Sequence, residues 1–213
     1  MTLRGALFYK RAMPLTAARP WLSAVLLAVQ VFLPLSASAG MTPEEVKAFE
    51  GYKSKAERGD PVAQFNLGDC YGGGFGVAKD DVQAVSWYRK AAEQGHAMAQ
   101  YSLGLCYANG RGVAKDFEVE AVKWWRKAAE QGDANAQFNL GLCYAKGIGV
   151  VKVEIAAYAY LNLAAGGEAP FARDNLAILE KTMSPDARLL GQQRTKELQK
   201  EIEAKIAAKQ AGK

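Results

Sequence analysis

The chain has 213 residues, half of them hydrophobic, which is enough for one ordinary domain and little more. Its formal charge of +5 is concentrated at the start. Arg4, Lys10, Arg11 and Arg19 fall in the first 39 residues with no acid among them, and removing those four from 27 leaves 23 basic against 22 acidic residues. So even a balance excludes a general nucleic-acid or anionic-membrane surface as the meaning of the basic pI.

Residues 1–39 have the three-part layout of a secretory signal: basic residues up to Arg19, an apolar run from Trp21 to Leu35, then Ala37-Ser38-Ala39 before Gly40. The apolar run is shorter than the ~20 residues that span a bilayer and contains Gln30 and Pro34, so cleavage after Ala39 is expected. Retention as an anchor is the alternative, and translation from Met13 would give a leader of more ordinary length. No cysteine follows the run, so a lipid-modified terminus is not expected, and Lys10-Arg11 is not a twin-arginine pair. These features imply a periplasmic or secreted protein with no membrane insertion after cleavage.

Beyond the leader, Thr42-Pro43-Glu44-Glu45 reads as a capping box with proline in the first turn, which predicts a helix over 43–58. Residues 40–59 read as an N-terminal half-repeat, because three similar units come after them. AQFNLGDCY from Ala63, AQYSLGLCY from Ala99 and AQFNLGLCY from Ala136 recur at 36 and then 37 residues, the extra residue lying between Val113 and Ala121. A fixed period of this size marks a solenoid.

Each unit within 60–168 predicts two helices. Helix A opens at Asp60-Pro61, an N-cap with proline at the first helical position, and carries Ala63, Leu67, Cys70 and Tyr71 at helical spacing. It ends in glycine-rich reversals, GGGFGV, NGRGV and KGIGV. Helix B begins near Asp80 and near Asp116, reads AVSWYRKAAEQG or AVKWWRKAAEQG, and stops at Gly95 and Gly132. In the third unit Asn162 and Leu163 replace the Arg-Lys pair. A helix over 170–182 and a long charged one from Ser184-Pro185 to about Ala208 are expected to close the open end, so that 169–213 caps the array.

Together, A-x-A-Q-x-x-L-G-x-x-Y, G-x-G-V and W-Y-R-K-A-A-E-Q-G resemble the Sel-like repeat family, relatives of the tetratricopeptide repeats. The likeness covers residues 56–167 closely, and Leu-Asn-Leu-Ala-Ala with Met183-Ser184-Pro185 is similar to the terminal module of bacterial members. It implies an all-α, right-handed superhelix and a role as adaptor or scaffold that binds another protein. Some secreted members of the family are cysteine-rich and bind or hydrolyse β-lactams, with disulfides joining helix B to the next helix A. This chain departs from that pattern, with Ala91, Ala92, Ala128 and Ala129 near the end of helix B and no S-x-x-K nucleophile, and an envelope repeat protein that binds glycan, or binds or hydrolyses a β-lactam, is the alternative reading.

Catalytic chemistry is sparse, and neither a cofactor nor a metal is expected. The sole histidine, His96, stands where Asp60 and Asp133 stand in the sister repeats and reads as a helix cap. Cys70, Cys106 and Cys143 share one register position. Copies of one position on successive repeats lie roughly 16–20 Å apart, at two interaxial spacings, whereas a disulfide needs Cα atoms within about 7 Å. They are expected to be free and buried. Trp87, Tyr88, Trp124 and Trp125 read as core between repeats, or else as a stacking platform, and burial of Trp124 decides against the platform.

In tetratricopeptide-like stacking helix A lines the concave side. The helical wheel directs Val62, Asn66, Asp69 and Gly73 away from the core, with Met98, Ser102, Leu105 and Asn109 and then Asn135, Asn139, Leu142 and Lys146 as their equivalents. Asn66, Asp69, Met98, Ser102, Leu105, Asn109, Asn139, Leu142 and Lys146 are therefore the expected partner-binding face, with Met98, Leu105 and Leu142 as apolar anchors. The leader generates the first testable outcome. N-terminal sequencing of the exported protein should begin at Gly40, and recovery of intact Met1 or Met13 in washed membranes would establish an anchor.

Overall fold

A computed structural model describes residues 41–212, so the leader, its cleavage site and the two candidate starts lie outside the described residues. Within them the chain forms α1 (Pro43–Glu57), α2 (Pro61–Gly73), α3 (Asp81–Glu93), α4 (Ala97–Asn109), α5 (Val122–Ala129), α6 (Ala134–Lys146), α7 (Glu154–Gly166), α8 (Ala172–Glu180) and α9 (Pro185–Ala211). No strand occurs among the described residues. Each helix from α1 to α7 packs on the next, the nearest-neighbour arrangement of a solenoid. No described helix is long and apolar enough to cross a membrane.

Capping follows the sequence closely. Thr42 accepts from the Glu45 N–H while the Glu45 carboxylate accepts from the Thr42 N–H, closing the capping box. Asp60, His96 and Asp133 cap the three A helices, each through an acceptor on the third backbone N–H. Helices α2, α4 and α6 all end on a left-handed glycine, Gly74, Gly110 and Gly147.

The extra residue of the second repeat sits at the start of its B helix. Phe117–Ala121 is one π-helical turn, in which the Ala121 N–H reaches the Asp116 carbonyl five residues back at 3.0 Å. A single insertion is absorbed there as a wider turn, and the repeats on either side keep their phase.

Two contacts set how successive repeats meet. Gln64, Gln100 and Gln137 are buried, and each donates its amide to the carbonyl of an alanine in the last turn of the preceding helix: Ala56 at 3.2 Å, Ala92 at 3.0 Å and Ala129 at 3.3 Å. The second contact lies at the other edge. Gly112 and Gly149, at φ near +66°, press on the backbone carbonyls of Asp81 and Glu118 in the first turn of the preceding B helix. Arginines tie the same units together, since Arg89 donates to the Tyr107 hydroxyl and Arg126 to the Tyr144 hydroxyl, both at 2.8 Å.

The core runs through these junctions. Leu67, Leu103 and Leu140 are fully buried, and the large B-helix residues Tyr88, Trp124 and Trp125 interlock with small alanines. Cys70, Cys106 and Cys143 are free and buried.

The end of the chain is arranged differently from a simple end cap. Helix α8 begins only at Ala172, after a turn in which Glu168 and Phe171 adopt left-handed backbone. Helix α9 lies along α7, with Gly191 against the Tyr158 ring and Leu198 and Ile202 buried, and then continues back over the earlier repeats. Lys205 pairs with Glu130 at 2.9 Å, while Lys209 donates to the Gly95 carbonyl at 3.0 Å and to Gln131 at 2.9 Å. The charged pattern of this helix belongs to a strap across the repeat edge, which explains why most of its surface is polar.

The junction glycines yield a paired test. Gly112→Ala would force left-handed alanine into the Asp81 carbonyl and should lower stability by about 2–4 kcal/mol in denaturant melts. Gly51 lies in α1 with no neighbour that a methyl group would meet, so Gly51→Ala should instead raise stability by about 0.5–1 kcal/mol.

Candidate functional site

The A helices place five of the nine expected site residues around one groove. Leu105 and Asn109 from α4 and Asn139, Leu142 and Lys146 from α6 line a cavity of about 270 Å³, with Trp125, Cys143 and Ile148 at its base. Their side chains meet because the repeat period of 36 to 37 residues returns equivalent positions to the same side of adjacent units. Leu105 and Leu142 are half-buried, whereas Asn109 and Lys146 are exposed at the rim.

The remaining four do not join this groove. Asp69 faces the B helix of its own repeat and accepts from the Tyr88 hydroxyl at 2.7 Å. Asn66 and Ser102 are half-buried, and Met98 stands 52% exposed near the start of α4. The wheel's arc is thus less free than the sequence implied. Leu105 also packs against the core cluster that holds Trp125 and Leu140, so it has a structural role alongside any contact with a partner.

Burial governs the chemistry of the titratable groups. It raises the pKa of Asp69, an effect opposed by the Tyr88 hydrogen bond, and it raises that of the Tyr88 phenol. The Cys143 thiol is pushed up to about 11 by burial, so it stays protonated at neutral pH and is no nucleophile. Among the described residues no group of three or more His, Cys, Asp or Glu side chains is placed to hold a metal ion. Trp124 is 4% exposed and stacked under Lys127 at 4.3 Å, which removes it from any sugar-stacking platform.

With the repeat geometry in place, the comparisons are direct. The Sel1 repeat family matches residues 61–96, 97–133 and 134–166. The chain belongs to the Sel1-repeat family. A protective antigen of uropathogenic Escherichia coli with an SLR fold is 32% identical at a TM-score of 0.68, over 80% of this chain and 36% of the antigen. A Sel1 repeat protein from Oxalobacter formigenes is 37% identical at a TM-score of 0.60, over 71% of this chain and 64% of its own. The chain therefore spans about a third of the first relative and under two thirds of the second. The comparison with curated proteins finds no match. Sel1-repeat proteins generally mediate protein–protein interaction and are typically non-catalytic.

His96 supplies a pH test. Its Nδ1 accepts from the Ala99 N–H, which requires an unprotonated ring nitrogen, and its ring stacks on Phe65 at 5.0 Å. Burial first, and then Lys209, lower its pKa, while Asp69 and Asp60 oppose them. The unfolded chain therefore takes up the proton more readily than the folded one. This contribution to stability is complete above the unfolded value of about 6.5 and is lost as pH falls below it. His96→Asn keeps a capping acceptor that does not titrate. Between pH 7.5 and pH 5, urea midpoints of His96→Asn should fall less than those of the parent.

Proposed function

We propose that the chain is an exported adaptor that binds a segment of another protein in the groove between α4 and α6. The observation that carries this reading is the convergence of Leu105 and Leu142 beneath a rim of Asn109, Asn139 and Lys146. Two half-buried aliphatic side chains offer anchor pockets, and the amides and lysine above them offer hydrogen bonds and one charge to set register. Export rests on the basic, apolar and Ala-Ser-Ala segments of residues 1–39.

Family membership supports interaction as the general role, and the buried tryptophan and the high thiol pKa speak against sugar stacking and nucleophilic catalysis. The test uses a photo-crosslinking amino acid at Asn139 in living cells, with the same label at the exposed Val82 as reference. A discrete adduct at Asn139, lost when Asn109→Arg and Lys146→Glu are added, is the expected result. Equal labelling from Val82, or an adduct indifferent to the rim changes, would place the interface elsewhere. Rim positions are preferred to Leu105 because changing Leu105 also disturbs the core.

A further inference from the structure

The glutamine contacts between repeats are incomplete in the third unit, and the gap opens onto a second site. In the first two units the buried glutamine also accepts: Gln94 donates to Gln64 and Gln131 donates to Gln100, both at 2.7 Å. The matching backbone bonds, Asp133 N–H to Ala128 and Ala169 N–H to Ala164, put the ends of α5 and α7 in register, with Gly167 as the counterpart of Gln131. No side chain is left to fill the acceptor. Gln137 is 4% exposed and gives its amide to Ala129, but its Oε1 receives no hydrogen bond from any described residue. That oxygen is not sealed from solvent, because Gln137 borders the neighbouring trough, so water or a ligand donor can reach it in place of the missing carboxamide.

Gln137 lines a trough of about 780 Å³ between the end of α7 and α9, within the range of ligand pockets. Gly166 leaves open space at its mouth. Asn162 presents a second carboxamide there, its amide already directed to the Thr195 hydroxyl at 3.4 Å. Leu163 and Ile202 make an apolar floor, and Lys196 and Lys200 stand exposed at the edge. The one acid on the trough, Glu203, accepts from Gln199 at 2.7 Å and keeps its charge, so the two lysines outnumber it and the edge is cationic on balance. A carboxamide fills this acceptor in both sister repeats, and lysines favour carboxylates.

We propose that the trough binds a short acidic segment of a partner protein, which inserts a glutamine or asparagine side chain against Gln137 while its carboxylates meet Lys196 and Lys200. The site is separate from the α4–α6 groove and does not depend on it.

The test titrates the tetrapeptide acetyl-Glu-Gln-Leu-Asp-amide into ¹⁵N-labelled protein to about 5 mM, in the range where millimolar affinity is measurable. Saturable amide shifts should appear at Gly166, Gly167 and Thr195. Replacing the peptide's glutamine by leucine, or both of its acids by lysine, should weaken binding at least about tenfold, a difference of 1.4 kcal/mol per decade. Lys196→Glu with Lys200→Glu should weaken it similarly in a protein whose other resonances are unmoved. Gln137→Leu should abolish it too, but that change also removes the bond to Ala129, so the surface lysine variant is the decisive one. Absence of shifts at these residues, equal binding of the three peptides, or shifts confined to Leu105 and Leu142 would overturn the proposal.

Discussion

The fold depends on a buried carboxamide. At each junction a glutamine in the first turn of one helix donates to a buried carbonyl near the end of the helix before it, at Ala56, Ala92 and Ala129. These three glutamines are the buried polar residues among those described, and they lie in a core of alanine, leucine and aromatic rings. A hydrogen bond in such surroundings is directional in a way that apolar packing is not, and a repeat displaced by one residue would leave the glutamine unpaired at a cost of about 1–3 kcal/mol. Hydrophobic burial supplies the driving force, and the glutamine selects one register.

The opposite edge is held by backbone against backbone. Where Gly112 and Gly149 meet the carbonyls of Asp81 and Glu118 there is no room for a side chain, so the distance between units is set by contact of main chains. Pinned at both edges, neighbouring A helices keep a constant relation, which is what brings Leu105 and Leu142 onto a common groove. The π turn at Phe117–Ala121 serves the same constancy by confining an inserted residue to one widened turn ahead of the core.

Most of the helical plan was legible because the motif is written three times, and differences between copies expose which positions are structural. Asp60, His96 and Asp133 could be recognised as caps from their shared slot, and the common register of the cysteines ruled out their pairing. The binding arc was less legible. A wheel shows which residues avoid one neighbour, but each A helix packs against two B helices, and Asp69 is taken up by the Tyr88 hydroxyl of the second. Helix α9 was read as an end cap because its few apolar residues, Leu198 and Ile202 among them, are too sparse to reveal direction. The unmatched Gln137 had a visible signal, Ala-Ala-Gly-Gly where the other units have Ala-Ala-Glu-Gln. Its meaning emerged only once the bond made by the missing residue was seen.

The strap formed by α9 changes how the array folds. A plain solenoid contacts only its neighbours and can grow from either end, one unit at a time. Lys209, however, reaches Gly95 across 114 residues, a separation that raises contact order and delays closure until the whole chain is available. As synthesis proceeds from the N-terminus, the repeats can therefore assemble early, while the tie that joins their loops is made last.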